Sequence, residues 1–155
     1  MNIKLRAVDS QKIYQEFCIF WHRHFEKQFE SLPKYMQANV VELQLQAKIQ
    51  SYFVQHPKLT MLKIKIHATD IGCMLLALEN DALHIIDLII KEEFRGKGFG
   101  KAAVEQAIAI AKAKDISVIK LSPAIENNAK ALYKAFGMSV TEYGEKPVYL
   151  KRAAG

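Results

Sequence analysis

The pattern of apolar and polar positions changes period several times along the chain, and each change marks an element. Ile3, Leu5 and Ala7 alternate with Lys4 and Arg6, the period of two that marks a strand over 3–8. Asp9 and Ser10 then offer capping oxygens. Tyr14, Phe17, Cys18, Trp21, Phe25, Gln28 and Phe29 recur at helical spacing, and Pro33 closes that run. A second helix is predicted over 34–55, with Met36, Val40, Leu43 and Ala47 as its apolar stripe and Pro57 beyond its end. From Thr60 the period returns to two, with Leu62, Ile64 and Ile66 alternating against Lys63, Lys65 and His67. Turn residues at 68–70 and 79–82 separate this strand from two more, over 71–78 and 83–90. Three strands in succession predict an antiparallel meander.

The second half alternates helix and strand. A run rich in glycine and charge, Lys91 to Gly100, precedes an alanine-rich helix ending near Lys114, whose buried stripe is Val104, Ala107, Ile108 and Ala111. Residues 116–121 are β-branched and predict a strand. Ser122 and Pro123 suit a helix start, and Ile125, Ala129, Leu132 and Phe136 form a stripe that Gly137 ends. Two short strands, 138–143 and 147–152, follow. The order β-α-α-β-β-β-α-β-α-β-β predicts a mixed α/β fold (α+β, mixed sheet). With 155 residues, no repeat and no linker-like tract, a single domain over 1–155 is expected.

Composition narrows the picture. Half the residues are hydrophobic and a quarter charged, enough for a packed core. The longest apolar run, over 71–78, is far short of the roughly 20 residues that a bilayer span needs, and the N-terminus lacks the apolar centre of a signal peptide. The two cysteines, Cys18 and Cys73, sit among apolar residues and read as reduced core thiols, so a cytoplasmic protein is expected. A net charge of +6 favours an anionic partner. One local cluster of that charge, Arg95, Lys97 and Lys101, surrounds the glycine run.

A strand, a glycine turn and a helix start together make an anion-binding structure. Glycines let the backbone turn through positive φ, so successive N–H groups point at one place, and the helix N-terminus adds partial positive charge. Three nucleotide motifs compete for this run. A Walker loop fails because Arg95 stands where its first glycine belongs and Ala102 follows Lys101. A dinucleotide fingerprint fits Gly98, Gly100 and Ala103, but five residues, Lys91 to Arg95, separate the strand from the glycine run, and the acid expected near the end of the next strand is replaced by Lys120-Leu121-Ser122. The third motif fits best. Arg95-Gly96-Lys97-Gly98-Phe99-Gly100 resembles the R-x-x-G-x-G element of the GNAT superfamily of N-acetyltransferases, and Asn127-Asn128-Ala129-Lys130-Ala131-Leu132-Tyr133 to Gly137-Met138 resembles that family's N-x-x-A-x-x-L-Y segment. Counted back from Tyr133, the family's usual asparagine position holds Glu126, with Asn127 one residue later. The element order agrees from residue 1 to about 152.

The resemblance implies a GNAT-like acyltransferase fold and an enzyme that moves an acetyl group from acetyl-CoA to a primary amine by direct attack. It places the cofactor's pyrophosphate on Arg95, Gly96, Lys97, Gly98, Gly100 and Lys101, with Asn127, Asn128 and Tyr133 also against it. The pantetheine arm is expected to pair with the backbone of Leu88 and Ile90 like an added strand, and the Leu88 N–H to stabilise the oxyanion. Tyr133 is the expected proton donor to the leaving thiolate. The base is open between His84, Asp87 and a water chain. Strict alternation would put His84, Ile86, Leu88 and Ile90 on one face of the strand, and Ile85, Asp87 and Ile89 on the other. Asp87 reads more naturally as a structural hydrogen-bond acceptor. Glu30 and Tyr35, flanking Pro33, are the candidate residues for the acceptor site. The partner expected is a small-molecule or peptide amine, without nucleic acid or membrane, and with homodimer formation left open. Metal-ligand spacing is absent from the sequence. The alternatives are a catalytically silent CoA-binding regulatory module and a basic nucleic-acid-binding domain.

Overall fold

The computed structural model describes residues 2–116, 118–122, 138–142 and 148–152, the last two segments through their backbone. One seven-stranded sheet organises them, in the order β1 (Lys4–Ala7), β2 (Thr60–Ile66), β3 (Thr69–Glu79), β4 (Ala82–Ile90), β5 (Val118–Leu121), β7 (Val148–Arg152) and β6 (Met138–Glu142). β2, β3 and β4 form the predicted antiparallel meander, and β1 adds to it antiparallel to β2. β5 lies parallel to β4, and a parallel neighbour requires a crossover, which helix α3 (Phe99–Ala113) supplies. β7 and β6 add on antiparallel. The helix predicted over 122–136 lies outside the described residues.

Both faces of the sheet are covered, which explains why β3 reads as a nearly unbroken apolar run. On one face α3 buries Ala103, Val104, Ala107, Ile108 and Ala111 against Ile64, Met74, Leu83 and Ile85. Helices α1 (Ile13–Gln28) and α2 (Lys34–Gln55) cover the other, over Met61, Cys73, Leu75, Ala77 and Ile86. Asp9 caps the short turn before α1 by accepting the Gln11 N–H at 3.1 Å, and Phe17 and Trp21 stack at 4.6 Å inside. Cys73 is buried and Cys18 half-buried, both as free thiols.

Three expectations about faces need correction. On α1 the buried row is Ile13, Phe17, Phe20, Trp21 and Phe25, while Tyr14 turns to solvent. On α2 the predicted stripe largely faces outward: Leu43 is 62% exposed, and Met36 and Ala47 are exposed too. The inward row is Val41, Leu45 and Ile49. Two apolar rows run along this helix, and period alone does not choose between them. Contact with α1 and the sheet does. The third correction concerns β4. Leu75 pairs with Asp87 but Leu76 pairs with Ile85, so Ile86 is an extra residue, a β-bulge. A one-residue insertion exchanges the faces on either side of it. Ile85, Leu88 and Ile90 therefore pack toward α3, whereas Ile86 and Ile89 pack beneath α1 and α2. His84 and Asp87, expected on opposite faces, both meet side chains of the α2 region.

Candidate active site

The sheet forks at β4. Pairing with β5 runs from Ala82↔Val118 to Ile85↔Leu121. Just past it the Ser122 N–H donates to the Ile85 carbonyl at 3.1 Å, and the Ser122 hydroxyl donates to the carbonyl of the bulged Ile86. From Asp87 to Ile90, β4 pairs only with β3 among the described residues. A strand edge left unpaired offers N–H and C=O groups to any extended chain that reaches it.

The glycine run begins where this open edge ends. The Lys91 N–H donates to the Ile71 carbonyl at 2.8 Å, and the Arg95 Nε reaches back to the Ile90 carbonyl at 2.7 Å, holding the loop against the strand. Lys27 and Arg23 of α1 hold Glu92 from the other side. Gly96 and Gly98 have φ of 75° and 83°, a region that costs a residue with a side chain about 1–2 kcal/mol. Gly98 caps α3, and its carbonyl accepts the first helical bond, from the Ala102 N–H at 3.0 Å. The amides of Phe99, Gly100 and Lys101 therefore have no carbonyl one turn back, and they stand at the positive end of the helix dipole. A Cβ on Gly100 would come within 3.2 Å of Leu88 and 3.6 Å of Ile90 side-chain atoms. Gly100 thus lets α3 start hard against β4, beside the open edge. Lys97 lies 6.0 Å from the Phe94 ring centroid, and Lys101 lies 3.7 Å from Glu105.

Asp87 sits at the fork with its carboxylate satisfied. It accepts the Tyr52 hydroxyl at 2.6 Å and its neighbour Leu88 N–H at 2.8 Å, and pairs with Lys48 at 3.3 Å. Burial, reinforced by the Asp87 charge, pushes the Tyr52 phenol up, so it stays a donor. Lys48 and Tyr52 are four apart on α2, one turn of a single helical row. The next member of that row is His56, the residue capping α2.

His56 meets His84. Their rings cross edge to face with centroids 4.7 Å apart, and His56 Nδ1 is hydrogen-bonded to Glu79 Oε1. His84 is only 7% exposed, and its Nε2 has no hydrogen-bond partner among the described residues. Burial first, then the positive potential of His56 and Lys120, lowers its pKa to about 4 against the pull of Glu79. It is a neutral imidazole at pH 7.

The comparisons with known proteins agree on one family. The model of the acetyltransferase (GNAT) family matches residues 12–138. The chain belongs to that family. A Bacillus subtilis (strain 168) protein, provisionally named a ribosomal protein bS18-alanine N-acetyltransferase, is 36% identical over 59 residues, which is 37% of this chain and 39% of the length of that relative. The PaiA N-acetyltransferase of Thermoplasma acidophilum, solved in complex with coenzyme A, superposes with a TM-score of 0.60 at 16% identity over 99% of this chain and all of that one. A GNAT acetyltransferase from Elizabethkingia anophelis with acetyl-CoA bound gives 0.54 at 14% identity, covering 99% of both chains. At these identities the structures establish the GNAT fold.

Within the GNAT fold, the structure brings together Leu88, Ile90, Arg95, Gly96, Lys97, Gly98, Gly100 and Lys101 around one fork and one helix start. Asp87 stands beside them, paired with Tyr52, Lys48 and the Leu88 N–H. His84, three residues back, is enclosed. Glu30 lies in the α1–α2 turn, where its carbonyl accepts the Gln37 amide at 3.1 Å, and Tyr35 is 82% exposed in the first turn of α2. Asn127, Asn128 and Tyr133 lie outside the described residues. Sequence reasoning missed Lys48, Tyr52, His56, Glu79 and Ser122. Only the four-residue spacing of Lys48, Tyr52 and His56 hinted at a shared row.

Proposed function

We propose that the chain is an acetyl-CoA-dependent N-acetyltransferase acting on a primary amine by direct attack. What supports this reading above all is the edge of β4 past Ile85 and Ser122, unpaired among the described residues, ending in a glycine turn whose helix-start amides have no partner among those residues and can take a diphosphate. Arg95, Lys97 and Lys101 supply formal charge there, and the pantetheine arm pairs with Leu88 and Ile90. The amine nitrogen attacks the thioester carbon, the carbonyl oxygen gains negative charge, and the C–S bond then breaks to release thiolate.

For the Leu88 N–H to hold that oxyanion, it exchanges the Asp87 carboxylate for the thioester oxygen. The exchange frees Asp87 Oδ1 to take the amine's proton, directly or through water. His84, three residues back along β4 and enclosed, is the poorer candidate for the base. Tyr133 protonates the thiolate, and Tyr133→Phe is expected to lower turnover by roughly 10–10⁴-fold.

Thermal-shift scans with acetyl-CoA, NAD and DNA test the ligand class, since a ligand bound to the native state raises its apparent stability. Acetyl-CoA alone is expected to do so. Thiol release over a panel of amines then tests catalysis. Stabilisation with no thiol release from any amine would leave a silent coenzyme A-binding module, and stabilisation by NAD or DNA alone would reject the reading.

A further inference from the structure

We propose that His56, Glu79 and His84 bind a divalent transition metal of the zinc class, tying the end of α2 to the β3–β4 hairpin. Each residue offers one ligand atom, and the three atoms lie within 4.8 Å of one another. A tetrahedral zinc with ligands at about 2.0–2.1 Å sets its donors about 3.4 Å apart, so modest side-chain rotation closes the site. The backbone beneath each ligand is already held. The His56 N–H donates to the Tyr52 carbonyl at 2.8 Å, and its carbonyl accepts the Leu59 N–H at 2.9 Å. Glu79 pairs with Ala82, and His84 with Ala77, across a hairpin whose turn, Asn80-Asp81, adopts positive φ at both residues.

A second observation points to a ligand. A buried ring nitrogen without a partner is costly, and His84 Nε2 is such an atom, on a side chain almost wholly removed from solvent. The donor set fits a borderline cation. Two imidazoles and one carboxylate suit zinc and its neighbours, whereas calcium and magnesium prefer oxygen throughout. Glu79 supplies the negative charge that offsets Lys120, the register partner of His84 on β5. The three ligands leave a fourth position for water.

The experiment uses untagged, reduced protein stripped with chelator and titrated with zinc chloride, by calorimetry and by competition with a chromogenic chelator. One equivalent is expected to bind, with a raised melting temperature. Cobalt(II) should give the intense visible bands of a four-coordinate site. His84→Gln and Glu79→Gln should each weaken binding by at least ~10-fold, while Cys18→Ser and Cys73→Ala should leave it intact. No stoichiometric binding at about 100 μM zinc, or binding that survives both ligand substitutions or follows the cysteines, overturns the proposal. Acetyl-CoA binding by the stripped protein is measured alongside, so failure here is separable from failure of the transferase reading.

Discussion

The two ends of β4 are built from similar sequence and have opposite surroundings. Near its start, where β5 seals one edge and α2 ends above it, a histidine is enclosed with a ring nitrogen that has no partner among the described residues. Past the fork, where β5 has gone, an aspartate finds three partners and the backbone beyond it is left open. One helical row, Lys48, Tyr52 and His56, serves both ends. The comparison teaches that a strand's chemistry is set less by its residues than by where its neighbour stops. Enclosure makes a polar group wait for a ligand, and an open edge makes the backbone itself the binding surface.

Five substitutions test this contrast. Leu45→Ala removes the floor under the shared row and should cost about 2–5 kcal/mol in denaturant melts, while Leu43→Ala on the outward row should stay within about 0.5 kcal/mol. Equal effects would break the assignment of α2's inner face. Asp87→Ala strands Lys48, Tyr52 and the Leu88 N–H at once and should cost about 2–4 kcal/mol. Tyr52→Phe should cost about 1–2 kcal/mol, with a double-mutant cycle reporting their coupling. Gly98→Val puts a β-branched residue at φ 83° and should weaken acetyl-CoA binding by about 10–100-fold by calorimetry, with little effect on zinc uptake.

A modest effect is expected at the sealed end. The His84 pKa is about 4 when folded against an ordinary 6.5, so the unfolded chain binds the extra proton between those values. Stability is therefore complete above pH 6.5 and falls as pH drops toward 4, by on the order of 1–2 kcal/mol once solvent screening is allowed for. His84→Gln should flatten that acid limb of the pH–stability curve measured on metal-free protein.

Much of this was legible beforehand, for identifiable reasons. The α2 boundaries, 34 to 55, follow from prolines on either side. The meander follows from its turns, and the anion site from three glycines beside a helix start. These are local signals, each carried by a few adjacent residues. The bulge at Ile86 was not legible, because nothing in Ile85-Ile86-Asp87 marks which residue is extra. Its position is decided by how β3 and β4 align along their whole length, and it brought His84 and Asp87, expected on opposite faces, to the same one. The metal-type cluster was hidden for a similar reason, since 56, 79 and 84 belong to three elements and to no spacing motif.

The chain's own order of residues determined the elements, their succession and the loop chemistry that marks the family, because hydrogen bonding and φ preferences act over a few residues. Tertiary structure alone decided which row of α2 turns inward, where β5 leaves β4, and which distant polar groups share a buried space. Those outcomes depend on which surfaces exclude water together, and that is a property of the assembled sheet and its helices.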